Sequence, residues 1–360
     1  MISGGGTGGH IYPAISIAQA LKEILQHVEI LFVGAKGKME MKKVPEAGFE
    51  IEGLWISGIQ RKISADNLMF PLKLCSSLLQ ATRLIKKFNP DVVVGVGGYA
   101  SGPLLYVAGR KGIPTLIQEQ NSYAGLTNKW LAKTARTICV AHDGMEKYFP
   151  AEKLVITGNP VRKTIKLNPN RRAEAFKHFE LKEFEPTLLV IGGSLGARTL
   201  NESVLAGLEK LEEEGIQLIW QCGGFYHEEM ESRSRDRGKN VVLKDFIFQM
   251  DFAYACADVV ISRAGALSIA ELMLTGKPSI LVPSPNVAED HQTINAKALV
   301  DHDAAEMVKD QEAMDKLIDT AVQLIRDKER QQKLAKNIQA MAHENAAVDI
   351  ANEVMKLIEA

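Results

Sequence analysis

TLLVIGGSLGARTLNESVLAGLEKL, residues 187–211, runs through an apolar stretch, a glycine loop and a helical period in that order, and QLIWQC (217–222) follows as a further strand. The opening of the chain, MISGGGTGGHIYPAISIAQALKEIL (1–25), has the same order. There Ala14, Ile17, Leu21 and Ile24 recur at three- and four-residue steps, which predicts an amphipathic helix with Pro13 in its first turn. EILFVG (29–34) is then the next buried strand. A second pair repeats as well: DVVVGVGGYASGPLLYVAGRKGIPTLI (91–117) and DVVISRAGALSIAELMLTGKPSILV (258–282). Each reads as a strand, a small-residue turn, a helix ending at Gly and a second strand after Pro. Strands alternating with helices call for parallel sheets covered on both faces, so the expected class is α/β. The duplicated order predicts two doubly wound domains facing each other across a cleft, rather than one large sheet.

At 360 residues the chain exceeds what one hydrophobic core usually supports, in keeping with two domains. The boundary is expected near GNPVRKTIKLNPNRRAE (158–174), rich in Pro, Asn and Arg. That gives an N-terminal domain over 1–160, a C-terminal domain over 161–342, and a final helix over 343–360 that could pack on either domain, including back on the N-terminal one. Lys and Arg number 43 against 44 Asp and Glu, a balance that offers no field to gather nucleic acid. The four cysteines form no C-x-x-C pair and have no histidine at ligand spacing, which argues against disulfide and zinc readings. There is no basic-then-apolar leader and no run of about 18 apolar residues, so the expectation is a chain neither secreted nor membrane-spanning.

Gly4, Gly6 and Gly9 satisfy G-x-G-x-x-G, which first suggests a nicotinamide dehydrogenase. That reading needs an acidic residue closing the second strand to hold the ribose, and here the strand runs into Gly34, Ala35 and Lys36. A P-loop is excluded too, because His10-Ile11 stands where Lys-Ser or Lys-Thr is required. What remains is a loop suited to a diphosphate-bearing ligand at a helix N-terminus.

Seven motifs in register over nearly the whole chain carry a resemblance: GGGTGGHIYPA, VGVGGYASGP, QEQNSYAGLTNKWLA, GNPVR, GGSLGAR, SRAGALSIAEL and EDHQTINA. With them the sequence resembles the MurG family of peptidoglycan glycosyltransferases. The resemblance implies a GT-B fold of two Rossmann-like domains, the C-terminal one for UDP-N-acetylglucosamine (UDP-GlcNAc) and the N-terminal one for a lipid-linked acceptor. That acceptor is undecaprenyl-diphospho-N-acetylmuramoyl-pentapeptide, lipid I. The family's inverting transfer to its C4 hydroxyl yields lipid II with a β-1,4 linkage and needs no cofactor. Implied partners are UDP-GlcNAc, lipid I, the cytoplasmic face of the inner membrane and other cell-wall synthesis proteins.

Site residues follow from the matched motifs. Gly265, Ala266, Leu267 and Ser268 open a helix whose amides and dipole favour the UDP diphosphate, and Ser194 adds a hydroxyl. This is a route to leaving-group stabilisation without a metal, and the sequence has no Asp-x-Asp pair to hold one. Glu271 matches the family's ribose-binding carboxylate, Ile247 the position whose backbone reads uracil, and Arg162 a donor-site arginine. Thr7, Gly8, Gly9 and Asn121 match active-site positions, and Gly97, Gly98 and Tyr99 the acceptor-diphosphate loop. Gln292 matches the reader of the GlcNAc hydroxyls. His291 stands where some members carry Gln, which leaves either residue of the pair as the sugar contact. QEQN replaces the commoner HEQN, so Gln118 supplies no imidazole, and Glu119 is either a buried structural carboxylate or a helper.

His10 has two readings: a base that accepts the C4 hydroxyl proton, or a helix-start histidine that bonds the acceptor diphosphate. In NLMFPLKLCSSLLQATRLIKKF (67–88), Met69, Phe70, Leu72, Leu74, Leu78 and Leu79 are edged by Lys73, Arg83, Lys86 and Lys87. Apolar residues rimmed by cations suit a monotopic contact with anionic lipid, and core packing is the alternative for the same helix. Beside the lipid I transferase stand two other functions: another GT-B enzyme, such as a glycolipid synthase or a UDP-GlcNAc epimerase, and a non-catalytic UDP-sugar-binding module.

Overall fold

The computed structural model describes residues 1–58, 68–162, 165, 171–193, 195–235, 240–287 and 290–359. Two compact units emerge, Met1–Arg162 with Glu344–Ala360, and Lys163–His343. The chain thus leaves the first unit at Arg162 and returns to it for its last helix.

The first unit is built from β1 (Ile2–Ser3), α1 (Gly8–Ile24), β2 (Leu31–Ala35), α2 (Glu40–Glu46), β3 (Glu50–Leu54), α3 (Phe70–Phe88), β4 (Val93–Gly95), α4 (Ser101–Arg110), β5 (Thr115–Glu119), α5 (Leu126–Leu131), β6 (Thr137–Val140) and β7 (Leu154–Ile156). The strands form one sheet in the order β3-β2-β1-β4-β5-β6-β7. All the pairings are parallel. The order reverses between β1 and β4, and β1 lies between β2 and β4 with Ile2 opposite Phe32 on one side and Val94 on the other. A crevice opens at such a point because the loops leave the strands toward opposite faces.

One face of this sheet packs against α1 through Ile11, Ala14, Ile17, Ala18 and Leu21. The C-terminal helix, Ala346–Glu359, adds Ile350, Ala351 and Val354 to the same cluster. Burying Ile350 and Val354 contributes roughly 1.5–3 kcal/mol each toward holding this 14-residue amphipathic helix on the unit. Ile24, expected on the buried stripe, is instead 39% exposed, because α1 ends there and leaves the sheet. Pro13 also differs from expectation: α1 starts at Gly8, so Pro13 lies in its second turn, where it cannot donate to the Gly9 carbonyl. The other face is covered by α3, α4 and α5 through Ala81, Ile85, Leu104, Leu105 and Leu131.

The second unit contains α6 (Arg172–His178), β8 (Thr187–Ile191), α7 (Arg198–Ala206), α8 (Leu208–Glu213), β9 (Gln217–Gln221), α9 (His227–Ser234), β10 (Val241–Lys244), α10 (Met250–Cys256) and β11 (Val259–Ser262). It continues through α11 (Ala266–Thr275), β12 (Ser279–Leu281), α12 (His291–Val300), β13 (Glu306–Met307), α13 (Ala313–Arg326) and α14 (Lys328–Ala340). Its sheet runs β10-β9-β8-β11-β12-β13. Counted from each unit's first strand, this is the first unit's order less one edge strand. The repetition in the sequence is therefore a repetition of topology, and the one-sheet alternative is overturned. Uniformly apolar strands such as Leu188–Val190 and Val259–Ile261 are fully buried, as parallel strands covered on both faces must be.

Candidate functional site

Each unit gathers its glycine loops at the C-terminal ends of its strands, so each carries a candidate site of its own.

In the first unit, Thr7 is the N-cap of α1 with extended backbone, and Gly8, Gly9 and His10 form the first turn. His10 Nδ1 lies 3.0 Å from the Gly5 carbonyl oxygen. A carbonyl only accepts, so it is Nδ1 that carries the proton in this contact. The imidazole rests on the next loop, since a Cβ at Gly97 would stand 2.7 Å from His10 Cδ2 and 2.8 Å from Nε2. Gly98 packs on the Gly5 backbone, and Tyr99, half exposed, lies over Gly58. The structure thus brings together Thr7, His10, Gly97, Gly98 and Tyr99 across the β1/β4 reversal. Arg162 joins this group, its guanidinium 5.4 Å from the ring centre of Tyr12, two residues past His10. It stacks as a cation on an aromatic face at the end of the first unit.

Asn121 follows β5. Its backbone N–H and its Nδ2 donate to Glu119 Oε1 at 3.1 and 3.4 Å. The Gly125 N–H and Asn128 Nδ2 donate to Glu119 Oε2 at 3.0 and 2.9 Å. Glu119 is buried, and with four donors its carboxylate is a structural centre that shapes the loop carrying Asn121. Gln118 donates to Asn159 Oδ1 at 3.0 Å, and Asn159 donates to the Gln120 carbonyl at 2.9 Å. That amide chain ties the QEQN and GNP motifs together inside the unit.

Glu40 is the residue that motif reading missed. From the first position of α2 its buried carboxylate accepts the Gly6 N–H at 2.9 Å and the Ala35 N–H at 3.0 Å. Gly5 and Gly34 leave room for it, because a Cβ on either would collide with its side chain. A carboxylate thus sits beneath the first glycine loop, where a dinucleotide fold would send one outward to a ribose. The only sequence signal for this was the pair of glycines, Gly5 and Gly34, at the ends of adjacent strands.

In the second unit, Gly265 is the N-cap of α11, bringing no side chain of its own to the amides of Ala266, Leu267 and Ser268. Asn295, fully buried, supports this turn by donating to the Ala264 carbonyl at 3.3 Å. Glu271, on the same helix, accepts from the Tyr254 hydroxyl at 3.0 Å. Tyr254 is fully buried, which fixes the carboxylate's rotamer from behind. Gln292, in the first turn of α12 beside His291, accepts the Ser284 N–H at 2.8 Å through Oε1, leaving its amide group as the donor end. The Ile247 side chain is buried at 4% exposure, so only its backbone is suited to reading a ligand. Ser194 lies outside the described residues. Around it, Gln221 braces the loop: Oε1 accepts the Gly193 N–H at 3.0 Å, and Nε2 donates to the carbonyls of Gly193 and Asp245 at 2.9 Å each.

The apolar patch on α3 divides. Leu68, Leu72 and Leu79 are 82%, 59% and 62% exposed, Met69 40%, and Cys75 is exposed as well. Spacings of four, three and four place Leu68, Leu72, Cys75 and Leu79 on one stripe, which continues into exposed Arg83 and Lys86, with Lys87 alongside. Phe70 and Leu78 instead pack against the core, and Leu74 is half-buried. Lys73 donates to Ser57 Oγ at 3.0 Å rather than edging the patch. Among the described residues, no group of three or more His, Cys, Asp or Glu is placed to hold a metal ion, and no helix is long and apolar enough to cross a membrane.

Both units match one family. Residues 1–140 match the glycosyltransferase family 28 N-terminal domain, and residues 187–354 its C-terminal domain. The chain belongs to glycosyltransferase family 28. A family 28 relative from Cytophaga hutchinsonii is 54% identical over 99% of this chain and 96% of its own length. One from Parabacteroides distasonis is 52% identical over 100% and 98%. Both are named UDP-N-acetylglucosamine--N-acetylmuramyl-(pentapeptide) pyrophosphoryl-undecaprenol N-acetylglucosamine transferase. The crystal structure of Acinetobacter baumannii MurG superposes with a TM-score of 0.78 at 29% identity, covering 99% of this chain and 98% of that one. The fold of this family 28 member is accordingly GT-B, and the dehydrogenase reading falls with the burial of Glu40.

Proposed function

We propose that the chain transfers GlcNAc from UDP-GlcNAc to the C4 hydroxyl of the N-acetylmuramoyl unit of lipid I, with inversion at C1, giving lipid II. The observation that carries this is the full-length identity of 54% with a relative bearing that transferase's name. In the reading we favour, the acceptor oxygen attacks C1 as His10 Nε2 takes its proton, and the C1–O bond to UDP breaks with its electron pair going to the diphosphate. The first turn of α11 (Gly265, Ala266, Leu267, Ser268) stabilises the charge developing there, because helix-end amides oriented in advance need no reorganisation as the bond breaks. Glu271 accepts from the ribose diol, the Ile247 backbone pairs with uracil, and Gln292 with His291 reads the sugar. Arg162 and Asn121 line the donor side, Thr7, Gly8 and Gly9 shape the catalytic turn, and Gly97, Gly98 and Tyr99 take the acceptor diphosphate. UDP-GlcNAc is the co-substrate, and no resident cofactor enters this reaction.

Lipid I is anchored in a membrane, so the proposal includes peripheral docking on the inner membrane's cytoplasmic face. Leu68, Met69, Leu72 and Leu79 would enter the interface, and Arg83, Lys86 and Lys87 would meet anionic headgroups. The N-terminal unit would then be the acceptor domain and the C-terminal unit the donor domain. The test is transfer of radiolabelled GlcNAc from its UDP donor to a short-chain lipid I analogue, with chelator present and the product linkage determined. A β-1,4 disaccharide is expected. Release of free sugar without acceptor would replace the reading with an epimerase, and donor binding without turnover would replace it with a binding module.

A further inference from the structure

The Glu40 and His10 contacts meet on a single peptide group. The Gly5 carbonyl that accepts from His10 Nδ1 and the Gly6 N–H that donates to Glu40 Oε2 belong to the same amide, at 3.0 and 2.9 Å. From one end to the other the chain is carboxylate, amide, imidazole. We infer that Glu40 is a positioning residue for His10, acting through the Gly5–Gly6 peptide unit as a carboxylate acts directly on the histidine of a hydrolytic triad. The inference deepens the proposed function and rests on its reading of His10 as the base.

The physical basis is polarisation along a hydrogen-bonded chain. A buried anion accepting the Gly6 N–H draws the amide's electron density toward its oxygen, so the Gly5 carbonyl becomes a stronger acceptor. That oxygen holds the ring in the Nδ1–H tautomer and favours the imidazolium that forms once Nε2 has taken the hydroxyl proton. The arrangement is purpose-built in its sterics: Gly5 and Gly34 admit the carboxylate, and Gly97 admits the ring. Glu40 is itself fixed at both oxygens, since Oε1 accepts the Ala35 N–H at 3.0 Å. The Glu40 carboxylate thereby acts on the imidazole at one peptide's remove, with its own oxygens taken up by the Gly6 and Ala35 N–H groups.

The test uses the full-length protein labelled with ¹⁵N-histidine, one of its eight histidines being assigned to His10 by comparison with His10→Asn. In the wild type, His10 is expected as the Nδ1–H tautomer with its Nδ1 proton displaced downfield by a strong hydrogen bond. In Glu40→Gln that proton should move upfield, and kcat should fall about tenfold while KM for UDP-GlcNAc stays within about twofold. Glu40→Asp, which keeps the charge on a shorter arm, should lie between the two. An unmoved Nδ1 proton in folded Glu40→Gln overturns the inference. If Glu40→Gln does not fold, an unmoved proton in Glu40→Asp does the same. A shifted proton with unchanged kcat would leave the relay standing and remove His10 as the base, so the two failures are separable.

Discussion

Arg263 and Asp310 form an ion pair at 2.5 Å between Nη1 and Oδ1, with side chains only 14% and 15% exposed. The same Nη1 reaches the carbonyls of Val282 and Pro283 at 3.1 and 3.4 Å, and Asp310 Oδ2 accepts from Thr199 Oγ1 at 3.0 Å. Arg263 directly precedes the α11 turn, Pro283 lies on the loop leading to Gln292, and Thr199 stands at the start of α7. One pair therefore ties together the segments that follow β8, β11, β12 and β13. We predict that Asp310→Asn, which keeps an acceptor but removes the charge, costs the second unit about 1–2 kcal/mol. It should raise KM for UDP-GlcNAc several-fold while leaving KM for the acceptor alone. Denaturant unfolding and steady-state kinetics check both halves, and a raised acceptor KM alone would contradict the assignment.

Gly97 carries the His10 ring, at φ +98°, a backbone region that side chains strain to enter. Gly97→Ala would add roughly 1–3 kcal/mol of backbone strain and drive its Cβ into the imidazole. The expected outcome is a folded protein whose kcat falls at least about 100-fold, since misplacing a reacting group by an ångström has that cost. Donor affinity measured by calorimetry should change little. Comparable losses in donor affinity and kcat would show that this loop serves the donor instead.

Tyr254 supports Glu271 from the buried side, so Tyr254→Phe removes the hydroxyl's hydrogen bond to Glu271 without removing ring volume. About 1 kcal/mol of orientation is lost, and donor KM should rise roughly fivefold. Glu271→Ala should raise it further. A Tyr254→Phe enzyme with normal donor KM would mean that the carboxylate holds its place without the tyrosine hydroxyl.

What the sequence disclosed, and what it withheld, follows a physical division. Repeated order survives in one dimension, because an apolar run, a glycine turn and a helical period each leave a local signature, and so both sheets were legible. Candidate positions such as His10, Gly265 and Glu271 came from the resemblance alone. The supports behind them were not legible. Glu40, Gln221, Tyr254 and Asp310 are single polar residues whose partners lie 34, 28, 17 and 47 positions away, and no periodicity marks such contacts. On α3 the difficulty was of another kind. The helix is apolar on two sides, so its period showed an amphipathic segment without telling that Phe70 turns inward while Leu72 and Leu79 turn out.

The cysteines give a chemical test of that last assignment. Cys75 is exposed on the α3 stripe, whereas Cys139, Cys222 and Cys256 are buried. Burial pushes the Cys222 thiol up to about 11 and the Cys256 thiol up to about 12, and raises Cys139 further, so none of these forms the reactive thiolate near pH 8. One thiol should therefore react rapidly with a disulfide reagent in the native protein, and four after unfolding. Anionic vesicles should protect the rapid one, while zwitterionic vesicles should protect it much less. Equal reactivity with and without anionic vesicles would remove α3 as the docking face.

Lys277 gives a stability prediction whose sign can be worked out. Its ammonium donates to the Ala257 carbonyl at 2.6 Å, and burial, followed by the nearby Arg172 charge, lowers its pKa to about 8. The unfolded chain holds that proton up to about 10.4, so between these values the unfolded state binds more protons, and this group's contribution to stability rises with pH. Below pH 8 both states are protonated, and the enclosed charge is a standing cost. Lys277→Met should accordingly look most favourable relative to wild type at pH 7 and lose that advantage steadily toward pH 10. The raised thiols of Cys222 and Cys256 pull the other way above about pH 8.5; the Lys277 charge also acts on the Cys256 thiol, but burial keeps that thiol protonated in both proteins up to pH 10, so the difference follows Lys277. Paired urea unfolding curves at pH 7, 8.5 and 10 measure it. A difference that does not change with pH would show that Lys277 keeps its proton throughout and that solvent reaches its ammonium.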